Sequence, residues 1–238
     1  MIENINAEDV LFLDIETVPQ YLTFNDMPEN YKKLWDKKTT YIRNESESAE
    51  DIYDKAGIWA EFGKIICISA GFIFERDGIK TFRIKSFYGD DEIEILEKFK
   101  LLLNSFFQKK YRARLCGHNA KEFDFPYIAR RMLINGIKLP SALNVAGLKP
   151  WEVPFLDTME LWKFGDYKHY TSLELLTTIM GLPSPKDDIE GSQIAHVYYI
   201  ENDLPRIARY CEKDTLAVAQ LFLRYKSEGL IEEIEQAD

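Results

Sequence analysis

Leu11-Phe12-Leu13-Asp14-Ile15-Glu16-Thr17-Val18-Pro19 is an apolar stretch that ends by presenting two carboxylates. Its alternation reads as a strand running from Val10 to Ile15. Leu11, Leu13 and Ile15 share one face, and Phe12, Asp14 and Glu16 share the other. Asp14 and Glu16 then lie side by side. Two like charges held that close need something to offset them, most simply a divalent cation with oxygen ligands. Taken alone, the stretch reads as easily as an ordinary strand running out into a polar turn at Thr17 and Pro19. The rest of the chain has to decide between the two.

A chain of 238 residues can bury a full core, and we read it as one domain spanning residues 1–238. Its 46% hydrophobic and 29% charged residues are those of a folded globule and not of a disordered chain. The longest nearly apolar run, Ile65 to Phe74, is too short to cross a bilayer, and Met1-Ile2-Glu3-Asn4 lacks the basic and apolar regions of a signal peptide. A cytoplasmic location with no membrane partner is the expectation. Cys67, Cys116 and Cys211 are widely spaced and form no pair at zinc-ligand spacing, so they read as reduced, packed thiols. The net charge of -10 argues at first sight against a polyanionic partner. Its distribution weakens that argument, because Glu228, Glu232, Glu233, Glu235 and Asp238 crowd an acidic tail from Lys226 onward that is open to fraying.

Residues 21–60 follow the opening strand with mixed charge, several aromatics and no long periodicity. They read as an insertion on the edge of the sheet. A short helix is expected over Tyr31 to Lys37, and a second over Ala49 to Ile58, capped by Ser48 and Asp51. Lys64 to Phe74 is apolar on both faces, like a central strand, and Arg76-Asp77-Gly78 turns it into another strand over Ile79 to Tyr88. Asp90 or Asp91 caps an amphipathic helix that runs to Phe106. The basic run Lys109, Lys110, Arg112 and Arg114 leads into a short strand, Ala113 to Gly117. Asn119 to Tyr127 is then a loop entering a helix, with Asp124 placed to cap it. After a loop over Ile137 to Glu152, Pro154 to Asp157 is a short last strand. Helices over Leu173 to Met180, Ile189 to Tyr199 and Leu204 to Tyr225 close the chain.

The last helix carries Tyr210-Cys211-Glu212-Lys213-Asp214, in which the phenol and the final carboxylate sit one turn apart on the same face. Ile207, Cys211 and Val218 lie near that face and turn it inward. A buried carboxylate is expensive without a polar partner, and a cation at the strand carboxylates would supply one.

Asp14-x-Glu16 on the first strand, Asn119-x-x-x-Phe123-Asp124 before a helix and Tyr210-x-x-x-Asp214 on a late helix, in that order, resemble the three exonuclease motifs of the DEDD superfamily. Tyr210 marks the tyrosine subclass, since Arg209 stands where the other subclass has a histidine. Phe-Asp-Phe-Pro-Tyr is similar to the proofreading domain of family B DNA polymerases and to the stand-alone bacterial predicted exonucleases related to it. The resemblance implies an α/β, ribonuclease H-like fold: a mixed five-stranded sheet flanked by helices. It implies a metal-dependent 3′-5′ exonuclease that removes nucleotides from single-stranded DNA ends by two-metal phosphodiester hydrolysis.

By the same resemblance, Asp14, Glu16, Asp124 and Asp214 are the ligands of two divalent cations, Mg²⁺ or Mn²⁺. One cation is assigned to Asp14, Glu16 and Asp214. The other is assigned mainly to Asp14, with Asp124 acting through water. Bound cations would also cancel part of the net charge. Tyr210 orients the attacking water, because a phenol with a pKa near 10 is a poor base at neutral pH. Thr17 and Val18 seat the 3′ end, and Asn119 and Phe123 contact the last nucleotides. Lys121, Arg130 and Arg206 are candidates for phosphate contact, while His118, His169 and His196 form no ligand set. An exoribonuclease stays open, as no residue can be assigned to the 2′-hydroxyl. A silent module that binds nucleic acid or a polymerase is the reading from another class. With little chain beyond the last helix, proofreading would need a polymerase or repair factor in trans.

Overall fold

The computed structural model describes residues 2–166, 170–183 and 188–237. A six-stranded sheet carries the fold: β1 (Val10–Pro19), β2 (Gly63–Arg76), β3 (Ile79–Tyr88), β4 (Arg114–Gly117), β5 (Leu156–Asp157) and β6 (Glu233–Gln236), in the order β5-β4-β1-β2-β3-β6. Strands β1, β2 and β3 form an antiparallel meander whose hairpin turn holds Asp77 and Gly78 at positive φ. Beyond it β4 runs parallel to β1, β5 parallel to β4, and β6 parallel to β3.

Seven helices accompany the sheet among the described residues: α1 (Glu29–Thr39), α2 (Glu92–Lys109), α3 (Asp124–Ile134), α4 (Thr158–Lys163), α5 (Leu173–Ile179), α6 (Ile194–His196) and α7 (Leu204–Tyr225). The alternation of β1 sorts them. Leu11, Leu13 and Ile15 face Leu96, Phe99 and Leu103 of α2 and Phe125, Ile128 and Met132 of α3. Phe12, from the opposite face, joins Phe82, Ile84 and Val218, Phe222 and Leu223 of α7. Each face is therefore covered, and the period-2 pattern of one strand decides which helix lies on which side. Between α2 and α3 Arg131 and Glu92 form a buried ion pair at 2.6 Å, and the Glu92 carboxylate also accepts the backbone N–H of Ile65 at 2.7 Å. Removing one partner of such a pair leaves a buried charge uncompensated.

Four sequence expectations change. Expected to fray, the acidic tail instead adds the sixth strand: Glu235 pairs with Arg76 and Arg83, and Glu228 with Lys80 and Lys226. Residues 21–60 do not sit on an edge of the sheet. They fold around Trp35, which is fully buried and touches the rings of Tyr53, Trp59 and Phe62, and they pack against the end of β1. Ser48 and Asp51 make the expected capping bonds, yet the segment after them tightens to a 3₁₀ turn at Tyr53–Ile58. Gly57 lets this turn lie against β1, because a Cβ there would lie 3.1 Å from the Val18 carbonyl carbon. Likewise α6 is short and runs into a widened π-turn, Val197–Glu201, before α7. No helix among the described residues is long and apolar enough to cross a membrane.

Candidate nuclease site

Strand β1 outlasts the predicted end at Ile15 and continues through Pro19, with a register break against β2 between Glu16 and Thr17. Such a bulge increases local twist and re-aims side chains. Asp14 is partly buried and Glu16 is 7% exposed, on the side of the sheet that faces α7. From α7, Cys211 donates its thiol to the Asp14 carbonyl at 3.3 Å and to Asp14 Oδ2 at 3.4 Å. Donor atoms of Asp14, Glu16 and Cys211 all lie within 4.8 Å of one another.

Asp124 was expected to cap α3. Phe123 occupies the cap position without a side-chain bond, and Asp124 is the first helical residue, 4% exposed. Its Oδ1 accepts the backbone N–H of Ile15 at 3.1 Å, between the two strand carboxylates. The fourth carboxylate, Asp214, hydrogen-bonds to the Tyr210 hydroxyl one turn away on α7.

The electrostatics are those of a crowded acid cluster. Burial pushes the Asp14 carboxyl well above the usual range, with Asp124, Asp214 and Glu16 adding to the rise. Glu16 rises for the same main cause and is further raised by Asp214 and Asp124. Asp124 is pushed up to about 7 by burial, against the lowering effect of the N–H bonds that it accepts. Tyr210 is likewise held far above its ordinary value by burial, then by Asp214, Glu16 and Asp14. Asp14, Glu16, Asp124 and Asp214 therefore sense one another. Bringing four acids together at the end of a central strand is costly unless a cation sits among them, and hard carboxylate oxygens are the donors that Mg²⁺ or Mn²⁺ prefers. Burial pushes the Cys211 thiol well up, so it stays a protonated donor and leaves the oxygens as the ligand set that fits.

The remaining predicted residues fall around this cluster. Thr17 Oγ1 donates to the Gly57 carbonyl at 2.9 Å, and Tyr127 from α3 donates to the same oxygen at 2.8 Å. Val18 is wholly buried in the cluster that holds Tyr210 and Cys211, which leaves only its backbone for any ligand. Asn119 takes the left-handed conformation, φ 59°, at the turn after β4, and its Oδ1 is buried without a partner among the described residues. Phe123 is half-buried, its ring 5.3 Å from that of Tyr127. Two of the three basic candidates have partners: Lys121 pairs with Glu160 at 2.7 Å, and Arg206 with Asp188 and Glu201. Arg130 is exposed. His118 bridges Thr158 and the Thr171 carbonyl, His196 lies beside Glu201, and His169 is outside the described residues.

Asp157 was read only as the end of a strand, and it does more. Its carboxylate accepts the backbone N–H of Asn119 and of Lys121, both at 3.0 Å, and caps α4 through Met159 at 2.9 Å. It thereby ties the Asn119 loop to α4. The spacing of Asp157 and Glu160 is that of a helix start, so the cap was legible, but the bonds to a loop nearly forty residues earlier were not.

A mixed sheet with helices on both faces and acids at the end of its first strand is the ribonuclease H-like α/β class. In that class the chain aligns with a family B DNA polymerase from the hyperthermophilic archaeon Pyrobaculum calidifontis: 91% of this chain and 24% of the polymerase, at 15% identity and a TM-score of 0.52. The likeness is one of fold, and the chain spans about a quarter of the polymerase's length. No curated protein matches the chain in sequence. Residues 58–237 match the model of a family described as predicted 3′-5′ exonucleases related to the exonuclease domain of PolB, and the chain belongs to that family. The matched region includes Asp124, Tyr210 and Asp214 and begins after Asp14 and Glu16.

Proposed function

We propose that the chain is a metal-dependent 3′-5′ exonuclease acting on the 3′ end of single-stranded DNA. The carrying observation is that three separated stretches meet at the end of β1: Asp14 and Glu16 lie within 4.8 Å of Cys211, which stands between Tyr210 and Asp214 on α7, and Asp124 accepts the Ile15 N–H between them. These four carboxylates would hold two divalent cations, Mg²⁺ or Mn²⁺, which when bound supply a nucleophile from water at neutral pH and stabilise charge on the attacking and leaving oxygens. Asp14, whose carboxyl is raised by all three of the others, is assigned to both cations.

The residues themselves divide the remaining work. Tyr210 stays protonated, so it orients water by a hydrogen bond and does not deprotonate it. Ile15 holds Asp124 through its backbone N–H, and Cys211 holds Asp14, so neither carboxylate has to be ordered by the substrate. Thr17 and Val18 seat the terminal nucleotide through the backbone, and Asn119 and Phe123 contact the nucleotides before it. The same activity suits proofreading or repair alongside a polymerase.

The test compares wild type with Asp14→Ala on 5′-labelled single-stranded DNA, duplex DNA and RNA, with Mg²⁺ or Mn²⁺. A ladder shortening from the 3′ end of single-stranded DNA, lost in the variant while binding persists, is the expected result. A ladder on RNA alone makes the protein an exoribonuclease. Binding without digestion by the wild type makes it a silent nucleic-acid module.

A further inference from the structure

Although the chain carries a net charge of -10, Lys109 to Lys149 holds nine Lys and Arg against two acids, Glu122 and Asp124. Asp124 is buried in the site, which leaves Glu122 as the one exposed acid of that stretch. Among the described residues, Lys109, Arg112, Arg114, Lys138 and Lys149 make no ion pair. A cluster of unneutralised cations on a strongly acidic protein is a surface with an anionic partner to find.

Two of these cations, Arg112 and Arg114, line a trough. One cleft is walled by Tyr111, Arg112 and Arg114 at the start of β4. It shares Tyr111 and Arg114 with a second cleft, which shares Val145, Leu148 and Phe155 with a third. That third cleft reaches Lys121, Phe125 and Pro126, on the segment that also carries Asn119, Phe123 and Asp124. Its apolar floor thus runs from the start of β4, past Pro154 and Phe155 before β5, to the first turn of α3, next to Asp124 in the chain. Two aromatic rings stand out along it, Tyr111 at 99% and Trp151 at 77% exposure, and Lys149 lies 5.4 Å from the Trp151 ring centre. Rings left in solvent beside cations suit a ligand with both flat faces and phosphates, since stacking is worth about 1–3 kcal/mol per base on such platforms. A protein partner would have use for the apolar floor but none for the unpaired Arg112, Arg114 and Lys149 beside it.

We infer that this trough binds the single-stranded DNA leading to the 3′ end, several nucleotides away from the bond being cut. The inference rests on the exonuclease reading and adds to it a length preference that the carboxylate cluster alone would not give. Arg112 and Arg114 contact backbone phosphates at the far end, and Trp151 stacks a base along the way.

Equilibrium binding of labelled oligothymidylates without cation tests it, using trimers and 20-mers on wild type, Arg112→Glu/Arg114→Glu and Trp151→Ala. All three side chains are exposed, so folding is not at risk. Wild type should prefer the longer strand, and each variant should lose about tenfold or more on the 20-mer, the scale of one or two phosphate or stacking contacts, while changing little on the trimer. Arg112→Ala/Arg114→Ala should reduce the salt slope of 20-mer binding by about 1.4, at roughly 0.7 for each phosphate contact. Hydrolysis of thymidine 5′-p-nitrophenyl phosphate, which reaches only the carboxylate cluster, should be unchanged in every variant. Equal affinity for both lengths, or a 20-mer affinity untouched by the substitutions, overturns the assignment and leaves the trough to a protein ligand. A wild type that prefers the 20-mer yet hydrolyses neither DNA nor the ester defeats the exonuclease reading and spares the trough.

Discussion

Tyr210 and Asp14 are assigned different parts of the proposed chemistry and should fail differently. Tyr210 offers one hydrogen bond to water, so Tyr210→Phe is expected to cost about 10- to 100-fold, the size of a single bond to a polarised partner. Asp14 is assigned to both cations, and Asp14→Ala should reduce digestion to background. Single-turnover assays on a 5′-labelled strand separate the two, and equal losses would end this division of roles. Acidity offers a second handle. Asp124, pushed up to about 7, binds a proton in the folded protein that it releases in the unfolded one, and Asp14 and Glu16 are pushed the same way. Cation-free protein should therefore lose stability as pH rises from the ordinary carboxylate value through about 7. Thermal melts without cation should fall between about pH 5 and about pH 8, and Mg²⁺ should restore the upper end while changing the lower end little. A flat profile would mean that neither burial nor the neighbouring acids raise these carboxyls in the folded protein.

At the scale of elements, the end of β1 is clamped from two sides. Gly57, in the segment 21–60, offers one carbonyl to both Thr17 and Tyr127, while Tyr199, on the widened turn before α7, donates to the Pro19 carbonyl. Either donor alone keeps the Gly57 oxygen satisfied. Thr17→Val and Tyr127→Phe should each cost about 1 kcal/mol, and together exceed their sum by a further 1 kcal/mol or so, because the pair leaves a buried acceptor unmet. Urea unfolding of the four proteins completes that cycle, and strict additivity would show water taking the vacant place. Residues 21–60 thus act as a buttress for the strand that carries the acids. Sequence patterns could not reveal it, since their signal was a capping box followed by nothing periodic.

Across the whole molecule, what could be read from the chain was what repeats locally. Alternation in β1 placed Asp14 beside Glu16, four-residue spacing placed Tyr210 over Asp214, and the apolar runs gave β2, β3, α2 and α7. Asp124 shows where such reading stops: a cap and a site residue look alike in sequence, and only the bond to Ile15, more than a hundred residues earlier, distinguishes them. The tail failed for a similar reason, since its acids read as repulsive until Arg76, Arg83 and Lys80 arrived from the β2–β3 hairpin.

The same long reach has a kinetic consequence. Asp14 and Asp214 come from opposite ends of the chain, so the four acids meet only when the sheet and α7 are complete. A cation that needs all of them has nothing to hold in the folding transition state. Mg²⁺ should then slow unfolding and leave the refolding rate nearly unchanged, which stopped-flow chevrons with and without the ion would read directly. A cation bound there would work as a latch on the finished fold, and its loss would shorten the lifetime of the native protein without hindering its formation.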